Sequence, residues 1–175
     1  GLQSNGIFAC AKHFPGHGDV AVDSHKDLPV INKTLEGLDS VELFPFQQLR
    51  HAGIMSMMVA HINLPLLDST PNLPATLSRP IMTGLLRDKF QFDGLIFTDA
   101  MNMKGVTKYF TNGDAELMAL QAGADVLLCV DDVPAAVNRI RGALDSNILS
   151  MEELDAHVLR ILKAKYWCGL SNYAP

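Results

Sequence analysis

The stretch GLIFTDAMNM, residues 94–103, decides how this chain folds. Gly94-Leu95-Ile96-Phe97 is a short apolar run, and Thr98-Asp99-Ala100-Met101-Asn102 brings polar groups directly after it. A strand with one wet face alternates apolar and polar residues. A run without alternation reads as a strand buried on both faces, as in a parallel sheet. Three more runs fit the same description: Ile7 to Ala11, Ile54 to Ala60, and Asp125 to Val130. The first ends in Lys12-His13, the second in His61-Ile62-Asn63 and the fourth in Asp131-Asp132. The beginnings of the runs show no such polar pattern.

Helical patterns separate the runs. Glu42 to His51 has Pro45, acceptable only in a first turn, and an apolar stripe of Leu43, Phe46 and Leu49. Ser78 is placed to cap a helix with Pro80 in its first turn and Ile81, Leu85 and Leu86 facing inward. Asn112 to Gln121 reads as a helix closed by Gly123, and Pro134 to Leu144 as another. Ser150-Met151-Glu152-Glu153 is a capping box opening a last helix with Leu154, Val158, Ile161 and Leu162 on one face. Four strand-helix units in succession imply a parallel α/β fold. A doubly wound open sheet and a (β/α)8 barrel both satisfy the pattern. A complete barrel takes about 250 residues, and this chain has 175, so four units make half of one.

The bulk properties narrow the function. The sequence is 48% hydrophobic, enough for a sizeable core, and carries a formal charge of −5 with its Lys and Arg residues scattered. That argues against a nucleic-acid or anionic-membrane partner. No apolar run reaches membrane-spanning length, and residues 1–10 lack the charged start and long apolar stretch of a signal peptide. Cys10, Cys129 and Cys168 stand far apart without C-x-x-C spacing and read as small core residues rather than a disulfide or zinc framework.

In parallel α/β proteins the loops at the carboxyl ends of the strands converge on one mouth. Lys12, His13, His61, Asp99 and the loop 14–29 are therefore expected to share a cleft. Asp99 caps the next helix or aims its carboxylate into the mouth as nucleophile or base. In an extended segment Asp23 and His25 point the same way, so the carboxylate can accept the imidazole N–H and fix its tautomer. The alternative is a surface turn with an incidental pair. Lys12 and His13 alternate across a strand end, so at least one faces the mouth, unless both belong to a salt-bridged rim. Gly16 and Gly18 around His17 mark a sharply turning loop. Met101 and Met103 read as core or cleft wall. His13, His17, His25 and His61 leave from different loops without H-x-H or H-E-x-x-H spacing, which disfavours a metal. No nucleotide-binding glycine spacing follows any strand.

Lys12-His13-Phe14-Pro15-Gly16-His17-Gly18-Asp19, followed by Asp23-Ser24-His25, resembles the signature of family-three glycoside hydrolases, in their bacterial β-N-acetylglucosaminidase (β-hexosaminidase) branch. Later segments agree in order: Ala60-His61-Ile62, Pro74-Ala75-Thr76-Leu77-Ser78, and Phe92 through Met101. The likeness runs from about residue 6 to about residue 170. It implies that residues 1–175 are part of a catalytic domain, the C-terminal half (strands 5–8) of a (β/α)8 TIM barrel. It implies a retaining exo-β-N-acetylglucosaminidase working through a covalent glycosyl-enzyme without a cofactor. Asp99 would be the nucleophile, His25 the general acid/base and Asp23 its orienting partner. Lys12 and His13 would hydrogen-bond the sugar, with His61 and Met101 also lining the substrate cleft. The segment Thr98-Asp99-Ala100 departs from the resemblance where a second acidic residue often follows the nucleophile.

The resemblance also implies a carbohydrate substrate and a missing barrel half, supplied upstream or by a second copy. It leaves the compartment open, cytoplasmic or exported. A β-glucosidase or β-xylosidase of the same superfamily, a metal-dependent hydrolase, and an inactive fragment or interaction module are the competing expectations.

Overall fold

In the computed structural model the described residues are 1–17 and 27–170. Four strands form one parallel sheet in the order β1 (Cys10–Phe14), β2 (Ser56–Val59), β3 (Leu95–Ala100) and β4 (Val126–Leu128). All four expected runs are strands. The first lies further along than expected, because Ile7 is 52% exposed and pairing begins only at Cys10. Helices α1 (Leu35–Asp39) and α2 (Phe44–His51) lie between β1 and β2, and α3 (Pro80–Lys89) between β2 and β3. Helices α4 (Lys104–Thr107) and α5 (Asp114–Ala122) lie between β3 and β4, and α6 (Val133–Asp145) and α7 (Met151–Trp167) follow.

The core lies between the sheet and these helices. Met57, Val59 and Ile96 from the strands meet Ile81, Met82 and Leu86 of α3, all at 1% exposure or less. Phe14, at the end of β1, packs edge-to-face on Phe46 of α2 and Phe90 after α3, with ring centroids 5.4 and 5.7 Å apart. Helix α3 has wide turns with i→i−5 bonding at its end, where Phe90 N donates to Leu85 O. Its expected cap is corrected: Ser78 donates its hydroxyl to Asp68 Oδ2 at 2.6 Å, and Arg79 holds the cap position. Helix α7 begins as expected, with Ser150 Oγ accepting from Glu153 N. Its expected apolar face is only partly covered. Leu154 packs on a second apolar cluster, but Val158 and Leu162 are exposed, and the most buried residue of the helix is His157.

That histidine belongs to a charge network at the strand beginnings, where the sequence pattern promised nothing polar. Asp125, just before β4, has a fully buried carboxylate. It accepts from Arg87 Nη2 of α3 at 2.6 Å, from His157 Nδ1 and Arg160 Nη1 of α7 at 2.8 and 2.9 Å, and from Ile96 N at 2.8 Å. Burial raises its pKa, but the His157 hydrogen bond, the Arg87 charge and the remaining partners outweigh burial and hold it below the usual carboxylate range. The network ties α3 and α7 to the sheet. The three cysteines are also corrected: all are free and exposed. Cys10 lies on the face of β1 opposite buried Ala11, Cys129 leaves β4 with a left-handed φ of 49°, and Cys168 ends α7.

Candidate active site

The polar groups that follow the strands gather where the sheet ladder is interrupted. Between β1 and β2 the register runs from Ala11↔Met57 to Phe14↔Val59, so Lys12 and His13 together oppose Met58. Between β3 and β4 it runs from Phe97↔Val126 to Ala100↔Leu128, so Thr98 and Asp99 together oppose Leu127. Two residues facing one is a β-bulge, which bends the strand and re-aims side chains. Lys12 and His13 differ in exposure as expected of neighbours across a strand end. Lys12 is exposed, and His13 turns toward β3, with Nε2 3.8 Å from Asp99 Oδ2.

Asp99 is partly open, with 19% of its side chain exposed. Its Oδ1 accepts from Ala100 N at 2.8 Å, which leaves Oδ2 toward His13. Thr98 Oγ1 accepts from Leu128 N at 3.1 Å, replacing a ladder bond that the bulge interrupts. Burial pushes the His13 imidazole below its usual pKa. The Asp99 charge works against that shift, and Lys12 and His17 add to it. The balance favours the neutral ring, a hydrogen-bonding group, over the cation. The rings of His13 and His17 meet edge-on, 6.0 Å between centroids.

His61 and Met101 are not on the surface of this cluster. His61 is fully buried, with Nδ1 2.7 Å from Thr76 Oγ1 and Nε2 2.9 Å from Ala100 O. Met101 is 2% exposed within the main core. Both side chains are thus packed away from solvent in this structure. Asp23 and His25 lie outside the described residues.

The descending end of the loop that would carry them is well anchored. Asp27 accepts from Lys108 Nζ at 2.7 Å, Tyr109 Oη at 2.9 Å and its own neighbour Leu28 N at 2.8 Å. The Lys108, Leu28 and Tyr109 hydrogen bonds bring its pKa down to about 2. Beyond it, Asn63 N donates to Pro29 O and Ile31 N to Asn63 O. The ascending end turns at Gly16, whose φ is 131° and where an added Cβ would meet Glu42 Cβ at 2.6 Å. Glu42 in turn pairs with Lys33, at 2.5 Å.

Sequence reasoning overlooked two contributors: Thr76 and the Asp27–Lys108–Tyr109 contact. Thr76 was legible only as part of Pro74 to Ser78, and nothing in the sequence links Asp27 to residues eighty positions away. Among the described residues, no three His, Cys, Asp or Glu side chains group as metal ligands would. A cavity of about 1880 Å³ lies at the other end of the sheet, walled by Phe8, Ile54, Leu95, Leu162 and Trp167, away from the titratable cluster.

This chain is similar to a β-hexosaminidase A of Pseudoalteromonas piscicida, with 33% identity over 187 residues covering 94% of the chain and 31% of the relative. Among solved structures it is similar to a glycoside hydrolase family 3 β-N-acetylglucosaminidase from Paenibacillus sp. str. FPU-7, with a TM-score of 0.92 and 36% identity. That match covers 99% of this chain and 33% of the other. It is also similar to a β-glucoside phosphorylase, with a TM-score of 0.90 and 30% identity, covering 99% and 32%. The chain thus spans about a third of the length of these relatives. Residues 1–164 match the model of the glycosyl hydrolase family 3 N terminal domain, and the chain belongs to that family.

Proposed function

We propose that this chain supplies the nucleophile side of a retaining exo-β-N-acetylglucosaminidase. The observation that carries the reading is the placement of Asp99, partly open on a bulge at the carboxyl end of β3, with His13 across from its Oδ2. An Asp99 oxygen attacks the anomeric carbon of a terminal β-linked N-acetylglucosamine. The glycosidic oxygen leaves with a proton from His25, and a glycosyl ester forms on Asp99. His25 then takes a proton from water, and the water oxygen displaces the carboxylate, so the configuration at the anomeric carbon is retained. Asp23 orients the His25 imidazole. Lys12 and His13 hydrogen-bond sugar hydroxyls, and His61 and Met101 form the floor below them. A histidine in place of the second carboxylate keeps a negative charge away from the acetamido group.

In this reading residues 1–175 are part of the catalytic domain, strands five to eight of a (β/α)8 barrel. The partners are the carbohydrate substrate and a half that completes the barrel, either an upstream segment or a second copy. The similarity to relatives bearing the β-hexosaminidase and β-N-acetylglucosaminidase names supports the N-acetylglucosaminide as substrate. A β-glucoside substrate is the second reading, favoured by the similarity to the β-glucoside phosphorylase.

The test compares nitrophenol release from the β-N-acetylglucosaminide and the β-glucoside, by the chain alone and by the completed barrel, each with and without Asp99→Ala. Preference for the N-acetylated substrate and loss of turnover in the variant is the expected result. Preference for the glucoside overturns the substrate, and full activity of the variant overturns the nucleophile.

A further inference from the structure

We infer that His61 is the positioning residue of the Asp99 carboxylate, holding the backbone of the bulge on which Asp99 sits. The inference rests on the proposal that Asp99 is the nucleophile. A carbonyl oxygen only accepts, so the 2.9 Å contact between His61 Nε2 and Ala100 O places the proton on Nε2. Nδ1 is then bare and accepts from the Thr76 hydroxyl at 2.7 Å. Both partners are thus used by one neutral tautomer. Burial, the largest influence on this ring, also disfavours its charged form and lowers its pKa, against the Ala100 hydrogen bond and the Asp99 charge.

The Ala100–Met101 peptide needs such a clamp. In a regular ladder, bonds to both neighbouring strands fix every peptide, but a bulge removes that support for the residues inside it. Here Thr98 and Asp99 lose it on the β4 side, while Thr98 keeps its register with Val59 of β2. Immediately after them, the Ala100 carbonyl is held from the β2 side by His61, and Met101 N donates to Leu128 O on the β4 side at 2.8 Å. The peptide is therefore pinned at both ends. Ala100 N, joined to that peptide through the Ala100 Cα, donates to Asp99 Oδ1 at 2.8 Å. The clamp holds one side of Ala100 and so limits the swing of the N–H that anchors the carboxylate. His61 touches no reacting atom; it acts through Ala100.

The deciding experiment is the rate at which a 5-fluoro glycosyl fluoride of N-acetylglucosamine labels the completed barrel, with the labelled peptide located by mass spectrometry. His61→Leu keeps the apolar bulk and removes the donor. Labelling of Asp99 is expected to slow by about 100-fold, with the reagent's binding constant changed by less than about threefold, the pattern of a misplaced nucleophile and not of lost binding. His61→Gln, which keeps an N–H donor for Ala100, is expected to recover to within about tenfold of the parent. Thr76→Val disturbs the other side of the same ring without removing that donor and is expected to label at the parental rate.

If Asp99 is labelled at the parental rate in His61→Leu, or Thr76→Val slows labelling as much, or Gln restores nothing, the inference falls while the nucleophile stands. If the label sits on another residue, the nucleophile assignment falls and takes the inference with it. An imidazole 15N spectrum that shows His61 doubly protonated or as the Nδ1–H tautomer at pH 7 overturns the inference independently of turnover.

Discussion

Asp27 and Lys108 are eighty-one positions apart in the chain, and their side chains meet at 2.7 Å. The contact joins the descending end of the loop 14–29 to the segment just after α4, which itself follows the Asp99 strand. Asp27 stands two positions beyond His25, so a segment that follows the strand of the proposed nucleophile also anchors the root of the proposed acid/base segment.

Asp27→Ala is expected to leave the melting temperature nearly unchanged, because the pair is exposed and such pairs add little stability. On a substrate with a poor leaving group, which depends on the acid, kcat is expected to fall about tenfold. On an activated aryl substrate it is expected to stay near the parental value. The folded pKa of Asp27 lies below its unfolded value, so its carboxylate is charged and the tether intact from the ordinary carboxylate range up to the alkaline range in which Lys108 loses its proton. On the acid side it is lost only as pH falls toward about 2. A tether that weakened between pH 6 and pH 8 would contradict this.

Asp125→Asn removes the buried anion and leaves Arg87 and Arg160 facing each other without it. Breaking a buried pair in this way costs about 3–5 kcal/mol, and urea unfolding of the variant measures it. The folded pKa of Asp125 is lowered, so its contribution is fully present above the unfolded carboxylate value and disappears as pH falls through the folded one. The gap between parent and variant should therefore narrow in acid.

Gly16→Ala meets two obstacles at once, a φ of 131° and the Glu42 side chain. Strain of this kind costs about 1–3 kcal/mol. The variant is expected to be less stable and to lose activity, since Gly16 follows Lys12 and His13 at the entrance to the loop. An alanine tolerated without change in either measurement would mean that the turn relaxes freely.

Asp23→Ala tests the orienting half of the proposed dyad. Removing a carboxylate that holds the His25 imidazole is expected to shift the limb of the kcat profile that reports the acid/base, together with a loss of about 10²–10⁴-fold in rate. An unchanged pH–rate profile would take the dyad out of the mechanism.

A metal-dependent hydrolase built on the histidines predicts loss of activity with chelator and recovery with added divalent ion. The glycosyl-ester mechanism proposed for Asp99 and His25 requires no metal, so activity is expected to survive extended dialysis against chelator. Turnover and metal content measured together decide between them.

Much of this was readable in the chain itself. Unalternating apolar runs, each closed by polar residues, specify parallel strands with their chemistry at one end, because burial on both faces and convergence of loops are properties of composition and order. Ser150 with Glu153, and Gly123 after α5, mark helix ends through local hydrogen bonding and local φ, and the structure has them there. The ordered motif set also carried the family. Long-range geometry was beyond it. The bulges at Lys12-His13 and Thr98-Asp99 arise from register with neighbouring strands, which no local pattern encodes. His61 read as a cleft residue because it follows a strand, yet whether such a side chain turns up into the mouth or down onto Thr76 and Ala100 depends on partners fifteen and thirty-nine positions away. The same holds for Asp125, a polar residue at a strand beginning whose three side-chain partners come from two helices. Hydrophobic periodicity and capping are local and additive, so sequence order was enough for them; burial and hydrogen-bond pairing of single polar groups depend on which distant segments share the space, and only the folded chain decided that.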